Sequence, residues 1–311
     1  MPDVLDCLFS LLERGGLAPI PDTLKGIFDP SGGVIPFARP PFPSLISLCC
    51  QALGGDLVQA TEVTLTWEIL YLAAYLLDQV TDEGGPEHPR NLLVILAAAC
   101  IPAARVFLTT QPGLEIETRQ LFLADFDRAI LNACAGQLGD LSVAEPSLEQ
   151  CWEISRKKTG EIYALAARSG ARLATLDPAI IEMLNEFGLQ LGRLVQIGDD
   201  INGLWSRNGN RSDLACGKWT LPVAYAMAVL QPPEREQLRE RLSSAGQDQR
   251  AEAEARREII ESGALLYLAT ETERCRLRAE MVLAQAIPQE ENRTELLALL
   301  GQATGWLSHE A

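Results

Sequence analysis

Apolar residues recur at i, i+3, i+4 and i+7 along most of this 311-residue chain, and strict apolar–polar alternation is nearly absent. Such periodicity matches the helical turn, and a chain that carries it throughout buries its apolar stripes by packing helix on helix. It predicts helices over 3–14, 42–53, 57–82, 90–111, 114–137, 146–172, 177–205, 219–230, 233–244, 248–286 with a break, and 290–307. Turn chemistry marks the breaks: Gly54-Gly55, Gly84-Gly85-Pro86, Gln111-Pro112-Gly113, Asp177-Pro178 and Pro232-Pro233. The stretch 15–45 is rich in Pro and Gly, so 1–45 reads as an irregular N-terminal segment and 46–307 as the helical core. No repeat or long linker divides the chain, and a single all-α domain over 1–311 is expected.

Charge narrows the partners. Lys and Arg total 26 against 42 Asp and Glu, a formal charge of −16. A surface this acidic repels nucleic-acid phosphates and anionic membranes, so neither is expected as a partner. An anionic substrate must then be held locally, by bridging cations or a few placed Lys and Arg. The eight cysteines, at 7, 49, 50, 100, 134, 151, 216 and 275, form no CxxC pair and lie mostly in apolar runs. They read as small core residues of a reducing cytosol. The first residues, MPDVLDCLFSLLERGG, carry charge throughout and lack a basic leader, so no signal peptide is expected. No apolar run reaches the ~20 residues of a membrane span. The longest, Leu92 to Leu108, is interrupted by Pro102 and Arg105, and a soluble cytoplasmic protein is expected. Histidine occurs only at 88 and 309, which weakens Ser-His-Asp, Cys-His and His-ligated zinc chemistry together. Carboxylates remain, and these favour hard cations such as magnesium.

Two helices end in acid. The run from Trp67 to Asp82 is apolar nearly all round, which marks a helix buried at the centre of a bundle, and it delivers Asp78 and Asp82 on one face before Gly84 and Gly85 stop it. Carboxylates at a helix C-terminus oppose the macrodipole by about 0.3–1 kcal/mol each. Such local violations mark sites, and a divalent cation would remove the conflict. The pattern recurs: Phe187 to Gly198 leads into Asp199-Asp200, followed by Ile201-Asn202-Gly203-Leu204-Trp205. Then comes Ser212-Asp213-Leu214-Ala215-Cys216-Gly217-Lys218-Trp219-Thr220-Leu221-Pro222, in which Lys218 opens another apolar helix, a place suited to gripping a diphosphate. The plain alternative is a pair of solvated helix ends. Two acid clusters, each closing a buried helix, with Lys158 and Lys218 nearby, favour cations bridging carboxylates to a diphosphate, above a greasy cavity that encloses a hydrocarbon tail.

At these residues the chain resembles the trans-polyprenyl diphosphate synthases, such as farnesyl and geranylgeranyl diphosphate synthases. The resemblance covers roughly residues 31–305 and is strongest over 158–224, where KT, LGRLVQIGDD and SDLACGKWTLP fall in family order and spacing. It implies a class I isoprenoid synthase: one helical bundle around a central apolar cavity, usually a homodimer, with three magnesium ions around an allylic prenyl diphosphate. Carried over by position, Asp78 and Asp82 match the outer acids of the first DDxxD motif, and Asp199 and Asp200 match the second, all as metal-holding residues. Lys158 and Lys218 match residues that contact the allylic diphosphate; Thr159 and Gln196 match residues lying along the ionising carbon. Arg39 and Arg90 match what remains of the basic residues for isopentenyl diphosphate.

Departures matter here. Gln79 replaces the middle acid of the first motif, Tyr71 stands where the family usually has His, and Gly203 replaces the last Asp of the second motif. A glycine followed by an aromatic, as in Gly203-Leu204-Trp205, resembles a variant found in some active bacterial members. The Gly-Lys-Arg-x-x-Arg-Pro stretch appears as Ile35-Pro36-Phe37-Ala38-Arg39-Pro40, and the Arg-Arg after the first motif as Glu83-Gly84-Gly85-Pro86-Glu87-His88-Pro89-Arg90. Three readings stay open: a prenyltransferase that elongates an allylic diphosphate, a terpene synthase that ionises and cyclises a single substrate, and a non-catalytic partner subunit of a synthase. Above Asp78, Ala73 and Ala74 are too small to plug a channel, and Leu70 and Trp67 lie further up. With all of these and Tyr71 lining the cavity, Trp67 forms its floor, and a chain of about C15–C20 fits by helical rise. Alternatively, Trp67 packs against a neighbouring helix.

Overall fold

The computed structural model describes residues 42–81, 90–111, 113–205 and 211–308. The predicted helix 3–14, together with Arg39 and Asp82, lies outside them. The described residues form helices and connecting turns, with no strand among them. In chain order the helices are α1 (Leu45–Ala52), α2 (Leu57–Thr81), α3 (Arg90–Thr110), α4 (Ile116–Ser142), α5 (Leu148–Ser155), a π-turn (Arg156–Gly160), α6 (Glu161–Ala174), α7 (Pro178–Asn202), α8 (Leu221–Val229), α9 (Pro232–Ser244), α10 (Gln249–Glu261), α11 (Ala264–Ala286) and α12 (Glu290–Ala303), followed by a 3-10 turn (Gly305–Ser308).

The chain divides into two compact units whose boundaries fall inside α4, α6 and α7. One holds the described residues up to Asp127 with Ala166–Ile181; the other holds Arg128–Leu165 with the residues from Glu182 onward.

In the first unit α2 is the central element. It buries Ala60, Val63, Leu65, Trp67, Ile69, Leu70, Leu72, Ala73 and Leu76, and packs against α1 and α3. Burial on nearly every side is why its sequence is apolar nearly all round. α1 ends on Gly54 at φ 79°, with Gly54 N–H donating to Gln51 O at 2.9 Å and Gly55 N–H to Cys50 O at 2.9 Å. That is a Schellman closure, which needs a residue free of Cβ strain in the left-handed region. A Cβ on Gly170 of α6 would meet Ile46 O at 2.3 Å, so glycine lets α6 and α1 touch backbone to backbone.

The helix expected over 90–111 is present as α3. α3 runs unbroken through Pro102 and Arg105, and by length and composition it is the one helix among the described residues long and apolar enough to cross a membrane. A prolyl ring removes one ladder hydrogen bond, yet a helix packed along its length survives that loss. α3 is packed in this way: it buries Leu93, Leu96, Ala97, Cys100, Ala104 and Leu108.

In the second unit, α5 starts at a reciprocal cap: Ser147 Oγ accepts from Gln150 N–H at 3.2 Å, and Gln150 Oε1 accepts from Ser147 N–H at 2.8 Å. The helix expected over 146–172 is interrupted by the π-turn at 156–160. The break expected within 248–286 falls at Gly263, φ 88°, between α10 and α11. One apolar cluster gathers Leu204, Leu214, Val223, Leu238, Ala255 and Ile259. A second joins Ile197 and Ile201 of α7 to Leu221 and Ala224 of α8 and Leu268 of α11. Cys49, Cys50, Cys100, Cys151 and Cys275 are buried, free thiols, as expected of small core residues; Cys134 is exposed.

Candidate active site

The second unit brings Lys158, Thr159, Gln196, Asp199, Asp200 and Lys218 into one connected arrangement around the C-terminal end of α7. Its foundation is a close approach of backbones. A Cβ on Gly192 of α7 would lie 2.7 Å from Gly160 Cα and 3.2 Å from Thr159 O. A Cβ on Gly136 of α4 would lie 2.7 Å from Lys158 N. Glycine at both heights therefore lets α4 and α7 press on the 156–160 segment from different sides. The segment widens there into a π-turn, a feature often found at functional sites. Arg156 clips across the turn: its guanidinium donates to both oxygens of Glu153 at 2.8 Å and to Glu161 Oε1 at 3.1 Å. The hydrogen bonds from Arg156 hold the Glu153 carboxyl down at about 2.

One turn beyond Gly192, Gln196 meets the π-turn. Thr159 Oγ1–H donates to Gln196 Oε1 at 2.6 Å, and Gln196 Nε2–H donates to Asp200 Oδ1 at 2.6 Å. Asp200 Oδ2 then accepts the Leu221 N–H at 2.8 Å, at the start of α8, where Thr220 offers no side-chain cap. Four groups from the π-turn, α7 and α8 thus form one chain in which the donors converge on the Asp200 carboxyl from both sides. Asp200 is 6% exposed. Burial pushes its carboxyl up to about 7, against the pull of the Leu221 N–H and Gln196, with Asp213 and Asp199 adding to the rise. The metal-holding role expected for Asp200 meets a competitor here, since each of its oxygens already serves a protein donor. Asp199, its neighbour, is exposed.

The two lysines flank this chain, each beside a carboxylate that sequence reasoning had not singled out for it. Lys158 Nζ lies 3.3 Å from Asp140 Oδ2, and Lys218 Nζ lies 3.5 Å from Asp213 Oδ1. The turn that presents Lys218 is built locally. Cys216 N–H donates to Ser212 O at 3.0 Å, Gly217 takes φ 72°, and Lys218 N–H donates to Asp213 O at 2.9 Å. Ser212 is wholly buried, and its hydroxyl donates to Glu252 Oε1 at 2.7 Å. The spacing Asp213-x-x-x-Gly217-Lys218 carried the only signal for the pair.

In the first unit, Asp78 is half-buried near the end of α2, and Thr81 Oγ1 donates to its carbonyl at 3.0 Å. Burial, with Asp78 adding to it, raises the Tyr75 phenol. At about 100° per residue, Ala74, Tyr71 and Trp67 fall within about 40° of Asp78, whereas Leu70 lies about 80° and Ala73 about 140° round the helix. Ala73, 3% exposed, is therefore turned away from the stripe that carries Asp78, so a lining set with all of these residues on one face is corrected. Trp67, 1% exposed, stacks obliquely on Tyr71 at 5.9 Å between ring centroids. Arg90 is the exposed first residue of α3.

The donor set fits magnesium. Among the described residues no three His, Cys, Asp or Glu side chains gather closely enough to cage a metal alone. Magnesium does not need such a cage: it keeps several waters and binds through one or two carboxylates plus substrate phosphates.

The chain is similar to known proteins. A family model described as Polyprenyl synthetase matches residues 92–260. The geranylgeranyl diphosphate synthase of Mycobacterium tuberculosis is 28% identical over 201 residues, which cover 59% of this chain and 57% of that protein. The chain thus spans less than two thirds of the length of that relative. A geranylgeranyl pyrophosphate synthetase from Pyrococcus horikoshii matches with a TM-score of 0.81 at 20% identity, over 97% of this chain and 94% of that one. A polyprenyl synthase from Caulobacter crescentus, solved with calcium and isoprenyl diphosphate, matches with a TM-score of 0.77 at 23% identity, over 96% and 97%. The solved structures share the all-α fold, and because the family model takes in more than half of the residues, from α3 through most of α10, this chain belongs to the polyprenyl synthetase family.

Proposed function

We propose that this protein is a magnesium-dependent prenyltransferase that ionises an allylic prenyl diphosphate of about C15–C20, by the helical rise between Asp78 and Trp67, and extends it with isopentenyl diphosphate. The observation that carries the reading is the chain Thr159–Gln196–Asp200–Leu221 N–H, flanked by Lys158 and Lys218. Bound magnesium, three ions on the family pattern, would be held by Asp78, Asp82 and Asp199 and would neutralise diphosphate charge as the leaving group departs. Asp200 contributes by orienting Gln196 and tying down α8.

In this mechanism Lys158 and Lys218 donate to the diphosphate oxygens. The Thr159 oxygen and the Gln196 carboxamide oxygen present their negative ends to the allylic carbon as the C1–O bond breaks. With Asp200 charged, Gln196 is held in this orientation, because its amide donates to Asp200 and its oxygen accepts from Thr159. The double bond of isopentenyl diphosphate attacks C1 and a carbon–carbon bond forms. The released pyrophosphate accepts the proton lost from the adduct. Apolar walls keep water from quenching the cation. Arg39 and Arg90 are proposed to receive the second diphosphate, and Trp67, Tyr71 and Ala74, with Leu70 beside them, to bound the hydrocarbon tail.

The same reading makes the chain one isoprenoid synthase domain that works as a homodimer. Leu131, Cys134, Leu138 and Leu141 are exposed along one face of α4 at the spacing of a helix–helix seam, with Leu131 70% and Leu138 65% exposed. The free thiols support a reducing compartment, the cytoplasm. The test is a product assay. Purified protein is incubated with geranyl, farnesyl or geranylgeranyl diphosphate, with and without isopentenyl diphosphate, with magnesium and after its removal by chelation. Extended diphosphates that require both isopentenyl diphosphate and magnesium are expected. Hydrocarbon released from the allylic substrate alone would overturn prenyl transfer in favour of a cyclase.

A further inference from the structure

Position 203 lies four residues beyond Asp199, the place where a third acid would follow the pair at the end of α7, and it holds glycine. The space is not empty. A Cβ on Gly203 would fall 1.8 Å from Asp213 Oδ2 and 2.6 Å from Asp213 Cγ, so the Asp213 carboxylate stands where a side chain at 203 would begin. It is held there by backbone: Asp213 N–H donates to Gly203 O at 2.8 Å. From that position its other oxygen, Oδ1, lies 3.5 Å from Lys218 Nζ. Lys218 N–H also donates to Asp213 O at 2.9 Å. Gly203 N–H in turn donates to Asp199 O at 2.8 Å, so the turn is tied to the last turn of α7 and to Asp199 itself.

We propose that Asp213 is the positioning residue for Lys218, that it fills the place of the acid missing at 203, and that glycine is needed at 203 to admit it. The inference rests on the reading of Lys218 as a diphosphate-binding cation. A lysine side chain is a flexible four-carbon stem that loses rotamer entropy when fixed. Its ammonium carries three donors. One directed to Asp213 orients the head. A side chain at 203 acts on the same contact: with the Asp213 backbone tethered to Gly203 O, only rotation of the Asp213 side chain relieves the overlap, and that rotation takes the carboxylate off Lys218.

The experiment measures binding of inorganic pyrophosphate with magnesium by calorimetry, so it reads ligand capture without turnover, and compares wild type with Asp213→Asn, Gly203→Ala, the double variant, Lys218→Met and Lys218→Met with Asp213→Asn. A half-exposed ion pair corresponds to a loss of up to about fivefold in affinity. Asp213→Asn and Gly203→Ala are each expected to weaken binding by up to about that factor, and the double variant no further, because both act on one carboxylate. In the Lys218→Met background, Asp213→Asn should change nothing. Unchanged or tighter binding in a helical Asp213→Asn protein overturns the proposal, as do additive losses or a further loss without the Lys218 ammonium. Asp213→Asn keeps the side-chain shape and decides the matter alone should Gly203→Ala fail to fold. Wild type that captures magnesium pyrophosphate but turns over no allylic diphosphate sinks the prenyl-transfer reading and leaves this inference standing.

Discussion

Replacing Asp200 by asparagine should flatten a specific part of the pH dependence of stability. The buried carboxyl sits at about 7, against an ordinary value of 3.8. Because the folded value is raised, the native state keeps the proton through a window in which the unfolded chain has released it. The stability this contributes is complete below the unfolded value and is lost as pH rises through the folded one. The loss runs at about 1.4 kcal/mol per pH unit, on the order of 3 kcal/mol between about pH 5 and about pH 8. Asp200→Asn carries no proton to lose. Its amide oxygen can accept the Leu221 N–H, and its amide nitrogen then faces Gln196, whose carboxamide must turn over so that Thr159 accepts where it now donates. The assay is urea unfolding of both proteins in metal-free buffer near pH 5 and near pH 8. The other titrating groups are common to both, so the change in their stability difference isolates Asp200. The variant is expected to gain roughly 3 kcal/mol relative to wild type on going to the higher pH. Parallel profiles would refute the argument, since they would mean that the carboxylate is charged and solvated in the folded protein.

The remaining expectations concern the supports of the site and its acids. Gly192→Ala places a Cβ 2.7 Å from Gly160 Cα, an atom that cannot swing aside, and should cost about 1–3 kcal/mol in urea unfolding while lengthening the Thr159–Gln196 contact. Ser147→Ala removes the hydroxyl half of the cap of α5 and should cost about 1 kcal/mol, with turnover retained. Asp78→Ala or Asp199→Ala should abolish product formation at unchanged far-ultraviolet dichroism; full activity in either removes that residue from the metal-holding role.

The sequence by itself determined the class of fold and much of the plan of the site. Helix periodicity and turn chemistry act over a few residues, so α2 and α7 were legible from neighbours along the chain alone, and a break within 248–286 was expected without its place. The acids at the ends of α2 and α7 were legible too, because carboxylates opposing a helix dipole break a local rule. Tertiary structure decided the rest. The π-turn at 156–160 lies where Gly136 and Gly192, distant in sequence, both come close to one segment, and no local pattern reports that approach. Asp200 and Asp199 are adjacent acids in the sequence, yet one is buried under the start of α8 and the other is exposed, so their chemistry differs through contacts with residue 221. The place vacated at Gly203 was visible as an absence; that Asp213 fills it depends on the backbone hydrogen bond from Asp213 N–H to Gly203 O. Burial and long-range approach set ionisation, orientation and the space open to a side chain, and these are properties of the packed molecule rather than of any segment of it.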